Sequence, residues 1–555
     1  MGALMRVVVL CTLALGVLAS GQDDDHPQVE TKYGKLRGKT LSAKETDRTV
    51  HAFYGVPFAK PPVGSLRFAA PEPPTAWSSI REALDYTPMC LQDTKMMEML
   101  FKAVKAKFSF PPVSEDCLYL NIFTPADRMK DKKLPVMVFI HGGALVMGGS
   151  MMFEGSALGA HENVVVVSIQ YRLGLMGFLS TGDDRAPGNY GFLDQVAALK
   201  WVSENIADFG GDPDIVTIFG ESAGGLSVSA LVASPLAKGL FHRAIAESGV
   251  AVLPGLVAKS TEEVVFVSNV VANISGCSED TLVECLMAKS EDEILAIAAS
   301  MKFPLPASID GVFFPKPVEQ ILANNEANSV PFIIGVNNQE FGWMLPLAMN
   351  ITGLQEGMNR ETAEEMLKKL PVLGSFSSTI DFLLDEYIGE ETDPAEIRNG
   401  FTDLLGDHIF VIPALTVAKY HRDSGHPTYF YEFQHRPSFF ADNKPDFVKA
   451  DHGDEIFFVI GGPFLKGDVL FTGACKEEEK TLSKEVMNYW ANFARTGNPN
   501  GEGLVFWPQY DHDEDYLQIN LEHRAAKQLK ARKYDFWTEV LPQKMQAEKE
   551  AHTEL

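Results

Sequence analysis

The chain of 555 residues has few basic residues and no block of them. Its 48 lysines and arginines stand against 74 aspartates and glutamates, which gives a formal net charge of −26 at pH 7. A protein with this charge repels nucleic-acid phosphates and anionic membrane surfaces. We therefore expect no nucleic-acid partner, and we interpret the acidity as a contribution to solubility.

Cysteine is scarce as well, with six residues and no Cys-x-x-Cys pattern. No histidine lies at ligand spacing from a cysteine, so neither a metal site nor a catalytic thiol is expected. One cysteine, Cys11, lies in the N-terminal leader, and Cys475 has no close neighbour in the sequence. In an oxidising compartment local disulfides are favoured, although sequence alone leaves the connectivity open. The expected pairs are Cys90–Cys117 and Cys277–Cys285.

Long apolar runs are missing beyond the N-terminus, so no transmembrane segment is expected. Residues 1–6 are a short cationic start, residues 7–19 are apolar, and a polar stretch follows. This pattern predicts a signal peptide over residues 1–20. The last four residues, 552–555, read His-Thr-Glu-Leu and resemble the Lys-Asp-Glu-Leu retrieval signal. Together they predict a protein of the endoplasmic reticulum lumen that is bound by a retrieval receptor.

Apolar runs that suit strands alternate with helical stretches along the rest of the chain. Apolar residues recur at spacings of three and four between Asn189 and Gly210, which predicts an amphipathic helix. The predicted strands are 134–140, 164–170, 215–219, 244–246, 332–336 and 429–433. This alternation predicts an α/β fold with a large, mostly parallel sheet flanked by helices. No repeat or linker divides residues 21–555, so we expect a single catalytic domain with helical insertions near 261–300 and 355–405.

A Gly-x-Ser-x-Gly pattern, residues 220–224, directly follows one of these predicted strands and precedes a helix-compatible stretch. In that context the serine lies on a strained turn that exposes its hydroxyl, and the flanking glycines remove side chains that would collide. A chance glycine-rich turn is the alternative. The strand and helix on either side favour Ser222 as a nucleophile.

Acyl transfer by a serine also needs amide donors for the developing oxyanion. Gly142 and Gly143 follow the predicted strand 134–140, and the amide of Ala223 comes directly after the nucleophile. A glycine pair after a strand is often a simple turn. Its position upstream of the serine favours an oxyanion hole made by Gly142, Gly143 and Ala223.

These motifs resemble those of the type B carboxylesterase and cholinesterase family of α/β-hydrolases, over nearly the whole mature sequence. Residues 209–224 match the serine signature of the family, and residues 115–121 match its second signature, which contains a cysteine of its first disulfide. Within the family, the cysteine pairs and the C-terminal tetrapeptide resemble those of mammalian carboxylesterases. The resemblance implies the α/β-hydrolase fold and a serine esterase that uses no metal or organic cofactor.

The resemblance also implies the other two members of a catalytic triad. Glu340, in the segment 337–342, corresponds to the acid, and His452, in the segment 451–455, corresponds to the base. As a base His452 must be neutral, so activity should rise with pH, with an apparent pKa near or below neutrality. Asp451 and Asp454 are rival carboxylates by proximity, with loop capping as their alternative role.

The loop between Cys90 and Cys117 lacks the tryptophan with which cholinesterases hold a quaternary ammonium. A choline substrate is therefore disfavoured. The loop instead carries apolar side chains: Met96, Met97, Met99, Leu100, Phe101, Phe108 and Phe110. These residues suit either an adaptable apolar pocket or gate, or a lid helix packed on the body.

By resemblance the substrates are small xenobiotic esters and amides, with acylglycerols as a further class. A lumenal lipase for long-chain acylglycerols is the alternative enzyme. A non-catalytic cholinesterase-like interaction domain is disfavoured, because all three triad positions are present. Asn273 and Asn350 begin glycosylation sequons. The sequence leaves the oligomeric state open.

Overall fold

The structure, a computed structural model, describes residues 26–106, 109–129, 132–370, 373, 376, 379–466 and 475–553. The predicted signal peptide over residues 1–20 lies outside the described residues. The side chains of residues 552–555, the predicted retrieval tetrapeptide, also lie outside the described residues.

The strands of the described residues are short at the N-terminus and longer in the middle of the chain. They are β1 (Gln28–Thr31), β2 (Gly34–Arg37), β3 (Lys39–Ser42), β4 (Thr49–Pro57), β5 (Arg81–Glu82), β6 (Met89–Cys90), β7 (Val113–Ser114), β8 (Tyr119–Pro125), β9 (Leu134–Ile140), β10 (Val165–Ile169), β11 (Gly211–Glu221), β12 (Arg243–Glu247), β13 (Phe332–Asn337), β14 (Thr428–Phe433), β15 (Asp515–Ile519) and β16 (Arg524–Lys527).

The α-helices of the described residues separate the central strands and form the insertions. They are α1 (Lys95–Ala103), α2 (Ser156–Glu162), α3 (Gly174–Phe178), α4 (Tyr190–Asn205), α5 (Ala223–Ala233), α6 (Thr261–Ser275), α7 (Leu282–Met287), α8 (Glu291–Ser300), α9 (Val318–Ala323), α10 (Met344–Ala348), α11 (Arg360–Lys369), α12 (Ile380–Tyr387), α13 (Pro394–Gly406), α14 (Ile412–Asp423), α15 (Ile456–Val459), α16 (Glu477–Thr496), α17 (Ala531–Asp535) and α18 (Leu541–Thr553). A π-helical segment, Asp407–Val411, joins α13 to α14.

One sheet of 11 described strands runs through the molecule, in the order β16-β15-β14-β13-β12-β11-β9-β10-β8-β4-β3. Its middle is parallel from β15 to β10. Antiparallel pairs lie only at the two margins, where β8, β4 and β3 follow β10 and where β16 pairs with β15. The predicted fold, a large and mostly parallel sheet flanked by helices, is confirmed.

The sheet is parallel in its middle because both of its faces are covered. Along β9, Val136 and Val138 belong to the core on one face, while Met137 and Phe139 belong to the core on the other. Helices α4 and α5 contribute to the first core, and α2 and α16 contribute to the second. A strand buried on both faces is a continuous apolar run, and this is why β9 occupies the predicted residues 134–140.

Both of the predicted disulfides are present. Cys90 is joined to Cys117 and Cys277 to Cys285, with Cα atoms 4.9 Å and 6.0 Å apart. The first bond anchors the loop that contains α1. Cys475 is free and partly buried, as the pairing predicts.

One helical stretch of the described residues, Pro394–Asp423, is long and apolar enough to cross a membrane. In the structure 83% of its apolar window is buried inside the protein, and residues such as Phe401 and Leu404 belong to a core. A helix that is apolar all round is also what a large protein core requires. The expected lack of a transmembrane segment stays a prediction.

Gly335 in β13 offers a test of how tightly the sheet is packed. A Cβ atom at this position would lie 2.0 Å from the ring of Tyr431, which is fully buried on β14. We expect Gly335→Ala to destabilise the fold by about 1–3 kcal/mol and to lower the melting temperature by about 1–3 °C, because the unfolding entropy of a chain of this length is large. Thermal denaturation followed by circular dichroism measures this shift.

Gly406→Ala is the matched control, because its added Cβ would make only ordinary contacts, the nearest at 3.5 Å. Gly406 has helical dihedral angles, with φ −61°, so alanine there should leave the melting temperature unchanged or raise it. Equal melting temperatures for Gly335→Ala and the unmodified protein would contradict the packing.

Candidate active site

Ser222 lies on a strained turn between β11 and α5. Its φ of 59° and ψ of −123° are outside the regions that residues other than glycine ordinarily adopt. Such a conformation costs about 1–3 kcal/mol and persists only when the surroundings fix it. The surroundings do so here, because the Ser222 amide donates to the Glu247 carbonyl at 2.8 Å and the Ser222 carbonyl accepts from the Leu226 amide at 2.9 Å.

The glycines of the Gly-x-Ser-x-Gly pattern are required by the carboxyl end of β9. A Cβ atom on Gly220 would lie 2.4 Å from the Ile140 carbonyl oxygen, and one on Gly224 would lie 2.0 Å from the same atom. A side chain at Gly249 is excluded for the same reason, because a Cβ atom there would lie 2.0 Å from the Ser222 carbonyl oxygen. The turn therefore rests directly on neighbouring backbone.

Gly142 and Gly143 lie against this turn, as the sequence predicts for oxyanion donors. A Cβ atom on Gly142 would lie 3.0 Å from Ser222 Cβ, and Gly143 has a φ of +107°. The Gly143 carbonyl accepts hydrogen bonds from two amides of the following turn, each at 3.0 Å. In the described part of the chain, no backbone partner accepts from the amides of Gly142, Gly143 or Ala223.

Gln92, which the sequence does not single out, supports the loop that contains Gly142 and Gly143. Its side chain is buried, accepts from the Gly148 amide at 2.8 Å and donates to the Gly148 carbonyl at 2.7 Å. Gln92 lies two residues after Cys90, so the disulfide and this amide side chain together hold the loop. The contact spans 56 residues of sequence, and no local pattern indicates it.

His141 is neutral and does not belong to the reacting groups. Its ring stacks on Tyr171 with centroids 4.4 Å apart, and burial lowers its pKa to about 4. The Tyr171 hydroxyl donates to the His141 carbonyl at 2.7 Å. These contacts fix the end of β9 where the two glycines begin.

The structure brings Glu340 and His452 together. His452 Nδ1 lies 2.7 Å from Glu340 Oε2, which in the neutral imidazole places the proton on Nδ1 and leaves Nε2 as an acceptor. Glu340 is buried, and its other oxygen accepts from Ser248 Oγ at 2.7 Å and from the Asn337 amide at 2.6 Å. The three bonds fix the carboxylate, and the ring of Phe410 lies 4.5 Å from the imidazole.

His452 Nε2 has no hydrogen-bond partner among the described residues. Its nearest carboxylate oxygen is Glu221 Oε1, at 3.2 Å, and Glu221 directly precedes Ser222. The hydrogen bond from Ser222 Oγ to His452 Nε2 is therefore not formed here. In enzymes of this kind such bonds are often long or poorly aligned until a substrate binds.

Asp451 and Asp454 do not contact His452 Nδ1, the ring nitrogen that forms the hydrogen bond with Glu340. Asp451 accepts from the amides of Trp343 and Met344, at 3.2 Å and 2.9 Å. Asp454 accepts from the Asp451 amide at 2.8 Å. Both carboxylates accept hydrogen bonds from backbone amides, which is the loop-capping role expected as the alternative to catalysis.

Comparison with known proteins gives the family of the chain. The model of the carboxylesterase family matches residues 25–537. The chain belongs to the carboxylesterase family. It is 51% identical to liver carboxylesterase of Sus scrofa over 96% of both chains, and 50% identical to cocaine esterase of Homo sapiens over 100% of this chain and 99% of that one. It is also 50% identical to the medium-chain fatty acyl-CoA hydrolase precursor of Anas platyrhynchos, over 99% and 98%.

The family assignment makes the chain a carboxylic-ester hydrolase and confirms the fold and family that its motifs indicate. The described strand order, with a mainly parallel sheet and the serine turn after β11, is the arrangement in which this family places its nucleophile.

The carboxyl groups of Glu221, Glu340 and Glu455 act on the imidazole of this carboxylesterase, and Glu247 interacts with two of them. Burial is the largest effect on Glu221, Glu247 and Glu455 and raises the pKa of each carboxyl, to about 8 for Glu247. Burial lowers the pKa of His452, but the Glu221 and Glu340 carboxylates outweigh it and raise the pKa above its usual range. The expected pKa near or below neutrality is therefore wrong in direction. A proton on Glu221 would remove one of the two charges that raise the pKa of His452.

In the sequence, the loop between Cys90 and Cys117 is open to two interpretations, an apolar pocket or gate and a helix packed on the body. Helix α1 packs on the body through Met97, which forms a small core with Met89 and Met151. Met96 and Met99 on the same helix are exposed. Phe101 and Phe110 meet edge to face at 4.9 Å, and Phe108 lies outside the described residues. Helix α1 is therefore packed on the body through one face and presents apolar side chains outward on another, and the predicted pocket or gate stays a prediction.

We expect Glu221→Gln to shift the pH dependence of hydrolysis. Removing the carboxylate beside Nε2 destabilises the protonated imidazole, so the pKa of His452 falls. Because the neutral imidazole is the active form, the acid limb of kcat/KM should move to lower pH, by roughly one unit. A pH profile of p-nitrophenyl ester hydrolysis from pH 5 to 9 measures it.

Glu502→Gln is the control, since Glu502 is exposed and this change should leave the profile unmoved. An acid limb that stays in place or moves to higher pH in Glu221→Gln would show that the Glu221 carboxylate does not act on His452.

Proposed function

We propose that the protein is a serine esterase that hydrolyses small esters and amides through an acyl-enzyme on Ser222. The supporting observation is the convergence of four chain segments. The strained turn with Ser222, the Glu340–His452 pair at 2.7 Å and the amides of Gly142 and Gly143 meet at the carboxyl ends of β9, β11 and β13.

In the proposed cycle His452 Nε2 takes the proton from Ser222 Oγ, and the oxygen attacks the ester carbonyl carbon. The carbonyl oxygen becomes negative and is held by the amides of Gly142, Gly143 and Ala223. Glu340 keeps the proton on Nδ1 and stabilises the imidazolium. The proton then goes to the departing alcohol.

Water completes the cycle. His452 accepts a proton from water, the hydroxide attacks the acyl carbon, and the C–O bond to Ser222 breaks as its oxygen takes back a proton. This chemistry requires no metal and no organic cofactor. It does require Ser222 Oγ to come within about 3 Å of His452 Nε2 when the substrate binds.

The proposed substrates are small xenobiotic esters and amides, with acylglycerols as a second class. Two relatives are named as a cocaine esterase and a medium-chain fatty acyl-CoA hydrolase. The substrates in these names have a compact apolar group in one case and a longer acyl chain in the other. Methionines on α1 and beside the oxyanion loop supply adaptable apolar contacts. A lumenal lipase would use the same triad but would gain activity at a lipid interface.

We propose the endoplasmic reticulum lumen as the location, with retrieval through residues 552–555 by a receptor. Two disulfides suit an oxidising compartment. Asn273 at the end of α6 and Asn350 after α10 are both exposed, so we propose both as glycosylation sites. The single catalytic domain over residues 21–555 is part of the same proposal.

A fluorophosphonate tests the nucleophile. We expect the reagent to modify Ser222, as peptide mass spectrometry would locate, and Ser222→Ala to lower kcat by about 10⁴-fold or more, because the covalent path is lost. Ser300→Ala, at an exposed serine on α8, is the matched control and should hydrolyse ester at the unmodified rate. An adduct elsewhere, with hydrolysis retained in Ser222→Ala, would overturn the mechanism.

The same preparation separates the esterase from the lipase. Short-chain p-nitrophenyl esters in solution should be hydrolysed faster than emulsified long-chain triacylglycerol. A large increase in rate when the triacylglycerol forms an interface would favour the lipase instead.

A further inference from the structure

Lys444 is buried beside the segment that carries His452. Its side chain is 1% exposed, its ammonium forms an ion pair with Asp454 and lies 3.7 Å from Asp451 Oδ2. Nζ also lies 5.1 Å from the centre of the Phe440 ring. Lysine is almost never fully buried unless it is paired, so both aspartates are needed to hold it there.

The two aspartates that bind Lys444 enclose His452 in the sequence and fix the turn around it. The Asp451 amide donates to Asp454 Oδ2 at 2.8 Å, which closes the turn 451–454. The Asp451 carbonyl accepts from Asn337 Nδ2 at 2.7 Å. The Asp451 carboxylate accepts from the first amides of α10. Through these bonds the Lys444 ion pair is connected to the segment that carries Glu340.

The backbone of Lys444 is held as firmly as its side chain. Arg436 donates to the carbonyls of Lys444, Pro445 and Val448, at 3.0 Å, 2.7 Å and 2.6 Å. The ammonium therefore cannot follow the aspartates if the turn 451–454 shifts. A fixed cation between two carboxylates sets the position of the turn.

Charge balance makes the ammonium more than a packing group. The charged groups on neighbouring elements that act on His452 are the carboxyls of Glu221, Glu340 and Glu455, and two more carboxylates flank it in its own turn. Lys444 offsets one of these two negative charges. Without it, two buried aspartates would be uncompensated, and buried charges in that state are strongly destabilised.

We propose that Lys444 is a positioning residue for the general base. Its buried ammonium fixes the turn 451–454 so that His452 keeps both its hydrogen bond to Glu340 and its approach to Ser222, and it offsets one of the two negative charges of Asp451 and Asp454. This inference rests on the proposed role of His452.

The test is Lys444→Met, with kcat, KM and the pH profile of p-nitrophenyl ester hydrolysis as readouts. We expect kcat to fall by about 10- to 100-fold, because a small displacement of a catalytic group costs this much, while KM stays within about twofold. We also expect the acid limb to move to higher pH, since uncompensated carboxylates stabilise the imidazolium. Fluorophosphonate titration counts active sites, so that kcat is given for each folded site.

Asp454→Asn supplies the opposite change in charge and serves as the second variant where Lys444→Met yields too little folded protein. It removes one of the two carboxylates and leaves the Asp451 carboxylate fully paired with the Lys444 ammonium, so its acid limb should move to lower pH. The double variant Lys444→Met/Asp454→Asn should return the limb toward its original position. Lys449→Met, at an exposed lysine of the same segment, is the matched control and should retain the original kcat and profile.

Opposite shifts in the two single variants support the inference. A site-normalised kcat and pH profile equal to those of the unmodified enzyme, in both Lys444→Met and Asp454→Asn, would overturn it. Shifts of the same sign in both would overturn it as well, because a purely structural loss does not depend on the sign of the charge. Failure of the proposed function would differ, since Ser222→Ala would then remain active.

Discussion

The close approach of the Ile140 carbonyl to the serine turn is the steric constraint on which the site depends. Both glycines that flank Ser222 would collide with this one oxygen if they carried a side chain. Because β9 ends there, the nucleophile and the oxyanion glycines come from adjacent strands, and their separation is set by the sheet. The chemistry is thereby placed on rigid backbone, which preorganises it.

A second constraint is electrostatic and works against stability. The carboxyl groups of Glu221, Glu340 and Glu455 act on one imidazole, and burial raises the pKa of Glu221, Glu247 and Glu455. Three donors hold the oxygens of Glu340. This fixed geometry beside His452 supports the proposed role of Glu340 as the acid of the triad.

The sequence predicts the centre of this fold better than its margins. Strands β9 and β10 are continuous apolar runs because both faces are covered, and their predicted limits agree within one residue. Strand β11 is longer than its apolar run, 215–219, because an irregular segment from Gly211 to Val216 extends its pairing with β9. The antiparallel strands β3, β4 and β8 are not predicted, since period and length alone do not separate short apolar runs from buried helix.

Long-range contacts explain which site residues escape prediction. Ser222 lies in a local pattern, whereas Glu340 and His452 are found only by resemblance because 112 residues separate them. Gln92 and Lys444 have no local signal at all: each is an ordinary polar residue whose role depends on the partners that folding brings close to it. Such residues hold the reacting groups in place without contacting a substrate. Buried polar side chains with complete pairing are therefore the places where the folded chain adds most to what its motifs indicate.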